Sequence, residues 1–262
     1  MVSWSATGVE NFSRTYTYDE LDRLKTMTSA PCSLFWTYDA WANRTAQTVT
    51  GGTCGQSQMT VSNFNKIADP GFQYDPAGNM TAEPGKNYQF DAENRMISIN
   101  GGSVGAYVYD AGGRRVRKTV ASGVTDYFYD LSGNVVAERQ AGVWTKAYVY
   151  AEGQLVAQYS DSTTYFVHKD HLGSTRMLTT VSQAVFATFD YQPFGESIGS
   201  GSATTHKFTG KERDDESGLD DFGARYYSSH TGASCPPTCH SSVRTPATTR
   251  AGICLPMCAI TR

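Results

Sequence analysis

The chain has 262 residues, with 25 glycines, 16 tyrosines, 39% hydrophobic residues and a formal net charge of −3. This length can bury the core of one large all-β domain or of two smaller domains, and the small negative charge does not indicate a nucleic-acid partner. Crossing a bilayer takes roughly 18 consecutive apolar residues; no run reaches that length, so no membrane span is expected. The first residues also lack the charged and then apolar layout of a secretory signal.

A motif of two aromatic residues, separated by one residue and followed by Asp, recurs along the chain. From Asp91 onward, the Asp positions or their degenerate equivalents follow one another at intervals of 19 to 21 residues. A fixed period of this kind indicates a repeat architecture. The copies begin at Tyr16, Phe35, Phe72, Tyr88, Tyr107 and Tyr127, and degenerate copies begin at Tyr148, Phe166 and Thr188.

Each copy predicts the end of one strand and a turn. Two aromatic side chains at positions i and i+2 lie on the same face of an extended strand. The D-x-x-G spacing, as in Asp110 to Gly113 and Asp130 to Gly133, suits the first and last positions of a β-turn. Alternating segments such as 113–120 predict the outgoing strands. The sequence therefore predicts an all-β fold: a long antiparallel sheet of stacked β-hairpins, without helices, in which neighbouring repeats bury one another.

The segment 165–227 is less periodic and carries the most distinctive motifs, YFVHKDHLGSTRMLTT, FDYQPFGE and KFTGKERDDESGLDDFGARYY. With the upstream repeats, these motifs resemble the YD-repeat or Rhs proteins and their repeat-associated core domain, over nearly all of 16–232. The sequence departs from that pattern at Gln192, Ser217 and Asp221, where the family usually has Asp, Thr and an aromatic residue. Asp221 thus puts a carboxylate at a position that is normally apolar.

The resemblance implies a spiral β-sheet, of which this chain is an arc, that closes into a hollow shell around a toxic C-terminal domain. It implies a YD-repeat array over 1–160, a core region over 161–232 and an aberrant tail over 233–262. The implied role is structural, with no enzymatic activity and no cofactor. The implied partners are the toxin domain and components of a secretion system, and the implied location is secreted or cell-surface. Residues that the motifs assign to structural positions are Tyr109, Asp110, Gly113, Tyr129, Asp130, Gly133, Asp170, His171, Gly173, Arg176, Phe194, Gly195, Gly210, Lys211, Glu212, Arg213, Gly218, Arg225, Tyr226 and Tyr227.

The tail changes character after Gly232. Four of the six cysteines lie in its last 28 residues, at Cys235, Cys239, Cys254 and Cys258. With His240 adjacent, their spacing imitates a four-thiolate zinc site. However, a shifted reading frame can encode the residues that usually follow ARYY in this family. This frame takes the third base of each codon together with the first two bases of the next. We therefore predict a frameshift near Thr231, thiols of accidental origin and no metal site.

Three other groupings have a catalytic or binding interpretation beside a structural one. Asp170, His171 and Ser174 could form a hydrolase set, but their turn-like DHLGS context favours a structural turn. The mixed-charge run 211–215 could be an active cluster, but such runs usually form solvated or salt-bridged surfaces. The basic run 114–118 could bind a phosphate or glycan, although its alternation favours a strand with one polar face.

The alternative function is a carbohydrate-binding or adhesion module at a cell surface, since exposed rows of Tyr and Trp could stack on sugars. Packing of Tyr18, Tyr74, Tyr109 and Tyr129 into one interior would argue against it. An open arc of hairpins also has unpaired strand edges and a half-exposed aromatic face, which predicts self-association.

Overall fold

The residues that the computed structural model describes are 2–6, 12–30, 32–198, 203–223 and 225–235. Over this part of the chain the structure has twenty-five β-strands, two short 3-10 turns (Asn100–Gly102 and Phe208–Gly210) and no α-helix. It accordingly contains no helix with the length and apolarity that a bilayer crossing requires. The prediction of an all-β fold is confirmed.

The chain forms two compact units, and the first contains the described residues up to Phe72 together with His230–Ala233. Six strands form one antiparallel sheet in chain order. They are β1 (Val2–Ala6), β2 (Phe12–Tyr18), β3 (Leu24–Ser29), β4 (Cys32–Tyr38), β5 (Arg44–Gly52) and β6 (Ser57–Gln58). Each strand pairs with the next one along the chain, as stacked hairpins require.

The second unit, built mainly from Gln73–Ser229, contains a sheet of thirteen strands. They are β7 (Gln73–Tyr74), β8 (Met80–Glu83), β9 (Lys86–Phe90), β10 (Met96–Ile99), β11 (Gly105–Tyr109), β12 (Arg115–Val120), β13 (Gly123–Tyr129), β14 (Val135–Gln140), β15 (Val143–Ala151), β16 (Gln154–Ser160), β17 (Thr163–Lys169), β18 (Thr175–Thr180) and β19 (Val185–Thr188). Their order in the sheet is their order in the chain, and neighbours are antiparallel. The predicted long antiparallel sheet of stacked hairpins is therefore confirmed.

Two smaller sheets follow the thirteen-stranded sheet along the chain. One is a hairpin of β20 (Asp190–Tyr191) and β21 (Ser197–Ile198). The other has the order β22 (Glu212–Asp214), β23 (Leu219–Asp221), β24 (Tyr226–Ser228) and β25 (Ala233–Cys235). The FTGKERD and ARYY motifs therefore contribute strands to the same small sheet.

The Asp of each repeat organises the turn between two strands. Asp110 Oδ1 accepts the backbone N–H of Arg114 at 2.9 Å, and its Oδ2 accepts Nε of the same residue at 2.8 Å. Gly113 completes the turn, donating its N–H to the Asp110 carbonyl with a φ of +79°, which costs glycine little. The Oδ1 contact with the N–H four residues later recurs at Asp19, Asp39, Asp75, Asp91, Asp130 and Asp170.

A β-bulge after the turn decides which side chains face inward. In the β11–β12 hairpin, Tyr107 lies opposite Lys118 and Tyr109 lies opposite Arg115, with Val116 as the additional residue. Because Tyr107 and Tyr109 are two residues apart, they share a face of the sheet. Arg115 and Lys118 therefore share that face too, although they are three residues apart. Similar register shifts occur in the β13–β14, β15–β16 and β17–β18 hairpins.

One face of the thirteen-stranded sheet is packed and the other is open. The first aromatic residue of four successive repeats lies on the packed face, at most 5% exposed, at Tyr88, Tyr107, Tyr127 and Tyr148, and Tyr165 of β17, 7% exposed, extends this row. Burying a large apolar side chain stabilises a fold by about 2 kcal/mol, so this tyrosine row is a substantial part of the core. The open face includes Val108, Val149 and Phe166, which are about half exposed.

The first unit has its own small core around Trp36, which is 2% exposed. Its indole Nε1 donates to Gln47 Oε1 at 2.8 Å. A disulfide joins Cys32 to Cys54, a pairing that the spacing of the two cysteines did not predict.

The chain passes from the first unit to the second between Phe72 and Gln73. The boundary predicted at residue 160 divides the YD repeats from the repeat-associated core motifs, and it stays a prediction. Of the predicted aberrant tail, only strand β25 is described. The cysteines after it lie outside the described residues, and so do the predictions of a frameshifted tail and of no zinc site.

Candidate functional site: a buried ionic cluster

Successive repeats interlock through an arginine and a tyrosine. Arg95 donates Nε to Asp91 Oδ2 in its own turn at 2.7 Å and Nη1 to the Asp110 carbonyl of the next turn at 3.2 Å. Its guanidinium lies 5.2 Å from the centroid of the Tyr109 ring, and the Tyr109 hydroxyl donates to the Met96 carbonyl at 2.7 Å. Tyr109, the second aromatic residue of its motif, therefore ties its repeat to the preceding one. The same stacking joins Arg23 to Tyr38 and Arg114 to Tyr129.

Arg115 is the centre of the most buried group of charges. Its Nη1 donates to Asp214 Oδ2 at 2.6 Å and to the Tyr226 hydroxyl at 3.0 Å. Its Nη2 lies 3.1 Å from Asp214 Oδ1 and 3.0 Å from Glu212 Oε2, and its Nε lies 3.2 Å from Asp221 Oδ2. A guanidinium has five N–H donors, and these five contacts match that number.

Lys118 is the second cation on the same face. Its Nζ lies 2.8 Å from Asp214 Oδ1 and 3.5 Å from both Glu212 Oε1 and Glu216 Oε1. The Tyr127 hydroxyl donates to Glu212 Oε1 at 2.7 Å. We refer to the two cations and the three carboxylates around the guanidinium as the Arg115 cluster, which consists of Arg115, Lys118, Glu212, Asp214 and Asp221.

The Arg115 cluster joins two sheets of the second unit. Its cations stand on β12 of the thirteen-stranded sheet, and its carboxylates stand on β22 and β23 of the small sheet. The rings of Tyr107, Tyr127 and Tyr226 surround the guanidinium with centroids 5.2, 5.2 and 5.9 Å away. Buried charges are tolerated only when they are paired, so the cluster fixes how the small sheet sits on the hairpins.

The carboxylates of the cluster differ in their protonation behaviour. Burial raises the pKa of Asp221 to about 6, because Arg115, which lowers it, is offset by the negative charges of Asp214 and Glu212. Burial would also raise the pKa of Glu212, but Arg115 and Lys118 outweigh it and lower that pKa to about 2. Glu212 is therefore ionised at neutral pH, whereas Asp221 titrates close to it.

A second buried ion pair holds the small sheet together. Arg213 donates Nε to Asp220 Oδ1 at 2.6 Å and Nη2 to Asp220 Oδ2 at 2.7 Å. The same Nη2 reaches the Gly195 carbonyl at 3.2 Å, and the Tyr227 hydroxyl donates to the Phe194 carbonyl at 2.9 Å. The PFG and ARYY motifs are thus linked by hydrogen bonds to backbone oxygens.

A polar network lies beside the Arg115 cluster. The Tyr148 hydroxyl donates to Glu138, and Lys146 Nζ lies 3.2 Å from Glu138 Oε2. The Tyr148 ring contacts the His206 ring edge-on, with centroids 4.7 Å apart. Burial lowers the pKa of His206 to about 4, so this imidazole is neutral over most of the physiological range.

The motif residues predicted from the sequence fall into three places, and their structural role stays a prediction. At the hairpin turns, or at the strand end beside them, are Tyr109, Asp110, Gly113, Tyr129, Asp130, Gly133, Asp170, His171 and Gly173. Buried in the small sheet or against it are Phe194, Gly195, Arg213, Tyr226 and Tyr227, with the Glu212 carboxylate in the Arg115 cluster. The remaining residues lie elsewhere: Arg176 pairs with Asp190, and Lys211 lies over the Phe222 ring. Gly210 and Gly218 have positive φ, and Arg225 is half-buried.

The grouping of Asp170, His171 and Ser174 forms a turn. Asp170 Oδ1 accepts the backbone N–H groups of Leu172 and Ser174, and Ser174 Oγ accepts the N–H of Thr209 at 3.0 Å. His171 is exposed. This arrangement is a structural turn, as the sequence context favoured.

The basic run 114–118 lies largely in strand β12 and the mixed-charge run 211–215 forms salt bridges, as their patterns favoured, but several of these charges are buried. The side chains of Arg115 and Lys118 are only 2% and 10% exposed, and carboxylates of the second run neutralise them. Only Arg114 and Arg117 point outward, at 46% and 51%. The bulge at Val116 is the physical reason, and binding of a phosphate or glycan by the buried pair is not supported.

Comparison with known proteins identifies the class. The family model described as Teneurin YD-shell matches residues 1–244, and the chain belongs to this family. It is 31% identical over 215 residues to a protein of Bacillus spizizenii named tRNA3(Ser)-specific nuclease WapA, and 30% identical over 215 residues to tRNA nuclease WapA of Bacillus subtilis. Each match covers 75% of this chain and 9% of the relative. The chain thus corresponds to a small part of those proteins.

Solved structures share the fold. The chain matches a crystal structure of TcdB2-TccC3-Cdc42 with a TM-score of 0.68 and the Tc holotoxin pore of Photorhabdus luminescens with a TM-score of 0.69. Both matches cover 96% of this chain and 15% of the other, at 18% identity. The shell-type fold that the family resemblance implied is therefore confirmed.

Proposed function

We propose that this chain is a non-enzymatic part of the wall of a β-shell, and that the shell encloses and delivers a toxic domain C-terminal to it. Its membership of the YD-shell family supports this proposal. So does its likeness to segments of proteins that are named nucleases, of which it matches only 9%. In this proposal the nuclease activity of those relatives belongs to their other parts. Components of a secretion system would be further partners.

The Arg115 cluster is the observation that carries the structural role. It is the largest group of ionisable side chains buried in the described second unit, and each of its charges is held by an opposite charge. Arg115 and Asp214 are 2% and 0% exposed, so neither can reach a substrate in solution. A site that performs chemistry needs groups that meet the reacting molecule, whereas this one meets only the protein.

Protease protection tests the proposal in the complete gene product that carries this chain. The expected result is that a protease cuts the segment C-terminal to the chain slowly when the product is intact. Replacing Arg115 by Met in the same product should expose that segment, and Arg117→Met is the matched control because Arg117 is half exposed. Equal cutting of the segment in the intact product and in isolation would contradict an enclosing shell.

The alternative, a carbohydrate-binding module, is favoured by one observation. Trp144 is 60% exposed beside Phe128, with ring centroids 4.7 Å apart. Against it, Tyr109 and Tyr129 are engaged through their hydroxyls with backbone carbonyls of the preceding repeat, although Tyr18 is 44% exposed. Glycan-array binding that Trp144→Ala abolishes would support the module over the shell.

A further inference from the structure

The Arg115 cluster contains one carboxylate more than it has cations. Among these five buried residues Arg115 and Lys118 supply two positive charges, while Glu212, Asp214 and Asp221 supply three negative ones, so their net charge is 2 − 3 = −1. Glu216, which is 24% exposed, adds a further carboxylate 3.5 Å from Lys118. An uncompensated charge in a buried site is costly. One bound proton would balance the cluster.

The contacts distinguish the carboxylate that takes this proton. Asp214 receives two bonds from Arg115 and one from Lys118, at 2.6 to 3.1 Å. Glu212 has the Tyr127 hydroxyl as well as both cations. Asp221 has one cation, Arg115 Nε at 3.2 Å, and one backbone donor, Gly223 N at 2.7 Å. Asp221 is therefore the least stabilised anion of the three.

We propose that Asp221 is a proton-binding site, and that proton uptake on mild acidification tightens the attachment of β22–β24 to the hairpin sheet. The direct structural consequence is a cluster of two cations and two carboxylates, with a neutral carboxyl that keeps its place beside the Arg115 Nε. At neutral pH and above, the third negative charge strains the same attachment. The small sheet is thus fastened more firmly in mild acid than in a neutral medium.

Every element packed around Asp221 contributes to this behaviour. Strand β12 presents Arg115, β22 presents Glu212 and Asp214, and β24 presents the Tyr226 hydroxyl beside the guanidinium. Strands β11 and β13 present the hydroxyls of Tyr109 and Tyr129, whose pKa values are raised by burial and further by Asp221. Lys118 and Glu216 lie on the far side of Asp214.

The sign of the effect follows from linkage. The pKa of Asp221 is raised from 3.8 to about 6 in the fold, so the stability it contributes is full below 3.8 and is lost as the pH rises through 6. His206 acts oppositely, because its pKa is lowered from 6.5 to about 4. The pH dependence of the total free energy of unfolding therefore combines both groups. The contribution of Asp221 is obtained from the difference between the parent chain and an Asp221 variant.

The test compares Asp221→Asn with the parent chain by urea unfolding at pH 7.5 and pH 4.5, because asparagine mimics the protonated carboxyl. The proposal expects the variant to lower the unfolding constant about a hundredfold at pH 7.5, and the difference should shrink to roughly sixfold at pH 4.5, where the unfolded carboxyl is still largely ionised. Glu152→Gln is the control, since Glu152 is an exposed carboxylate in the turn between β15 and β16 of the same unit, and it should show no such pH dependence.

A titration of the parent gives a second, independent readout. In the 13C spectrum of the aspartate-labelled chain, the proposal expects a buried carboxyl resonance that moves with a midpoint near pH 6 and is absent in Asp221→Asn. A variant less stable than the parent at pH 7.5, or a difference that does not change with pH, would overturn the proposal. If the variant does not fold, the absence from the parent of any carboxyl that titrates between pH 5 and 7 would overturn it as well.

Discussion

Arg115 and Asp214 form a bidentate ion pair across 99 residues of chain, with Nη1–Oδ2 at 2.6 Å and Nη2–Oδ1 at 3.1 Å. The arginine belongs to a strand of the repeat array and the aspartate to the KERDD motif of the core region. Since both are almost fully buried, neither can be removed without breaking two buried hydrogen bonds between charged groups. The pair therefore couples the two parts of the second unit.

Replacing Asp214 by Asn should destabilise the second unit by about 3 to 5 kcal/mol, because it breaks the buried bidentate pair and turns an amide toward the donors of Arg115 and Lys118. Urea unfolding of the full chain measures this loss. The double variant Arg115→Met with Asp214→Asn should lose less than the sum of the single losses, since the bidentate pair is lost only once and the second change removes one of the carboxylates that Arg115→Met leaves in excess. As a control, Glu152→Gln in the exposed turn between β15 and β16 should change stability by no more than about 0.5 kcal/mol; additive single losses would contradict a coupled pair.

Gly195→Ala should destabilise the chain by about 2 to 4 kcal/mol. A Cβ there would lie 2.5 Å from the Phe208 ring, and the backbone has a φ of +89°. Gly142→Ala is the control, since its φ is +82° and nothing lies within 4 Å of the added Cβ; it should cost about 1 kcal/mol. Thermal unfolding of both variants separates the steric clash from backbone strain, and equal losses would argue against close packing at Gly195.

Reducing the Cys32–Cys54 disulfide should destabilise the first unit. The bond spans 22 residues, and opening a loop of that length costs about 3 kcal/mol. Hydrogen exchange should therefore accelerate in β4 and β5 after reduction, while β12 and β13 in the second unit keep their protection. Uniform acceleration over both units would show that they unfold together. The double variant Cys32→Ser with Cys54→Ser should reproduce the reduced protein.

Acid should loosen the network around His206 between pH 6.5 and 4. Burial lowers the pKa of His206 to about 4, so its stabilising contribution is present above 6.5 and is lost as the pH falls through 4. His206→Asn should flatten the stability profile in this window relative to the parent, whatever it costs in packing. An unchanged slope in the urea midpoint against pH would contradict a buried neutral imidazole.

The turn chemistry of the repeats made most of the fold predictable. An Asp before a turn specifies the turn, and aromatic residues two positions apart specify one face of a strand. Both signals lie close together in the sequence, so they predict hairpins such as Tyr107 to Val120. The Arg115 cluster was not predictable for two physical reasons. A bulge of one residue turned Arg115 and Lys118 inward, and their carboxylate partners are about 100 residues away in sequence. Asp221 was the one available signal, as a carboxylate at a usually aromatic position.

The reading frame after Tyr227 gives a separate genetic prediction. Resequencing of the genomic DNA across the codons for 227–262 and the following several hundred bases should show that the shifted frame continues into a further domain. A downstream frame that closes at once would contradict the predicted frameshift, and it would make metal binding by Cys235, Cys239 and the later cysteines worth measuring. Metal analysis of protein purified without chelators would then decide between accidental thiols and a zinc site.

Cryo-electron microscopy of the complete gene product tests the proposed shell most directly. The YD-shell fold and the inward-facing tyrosine row predict that residues 86–228 form part of a closed wall, with density for the C-terminal domain inside it. An open sheet with the C-terminal domain outside, in contact with solvent on all sides, would contradict the proposal that this chain belongs to a container.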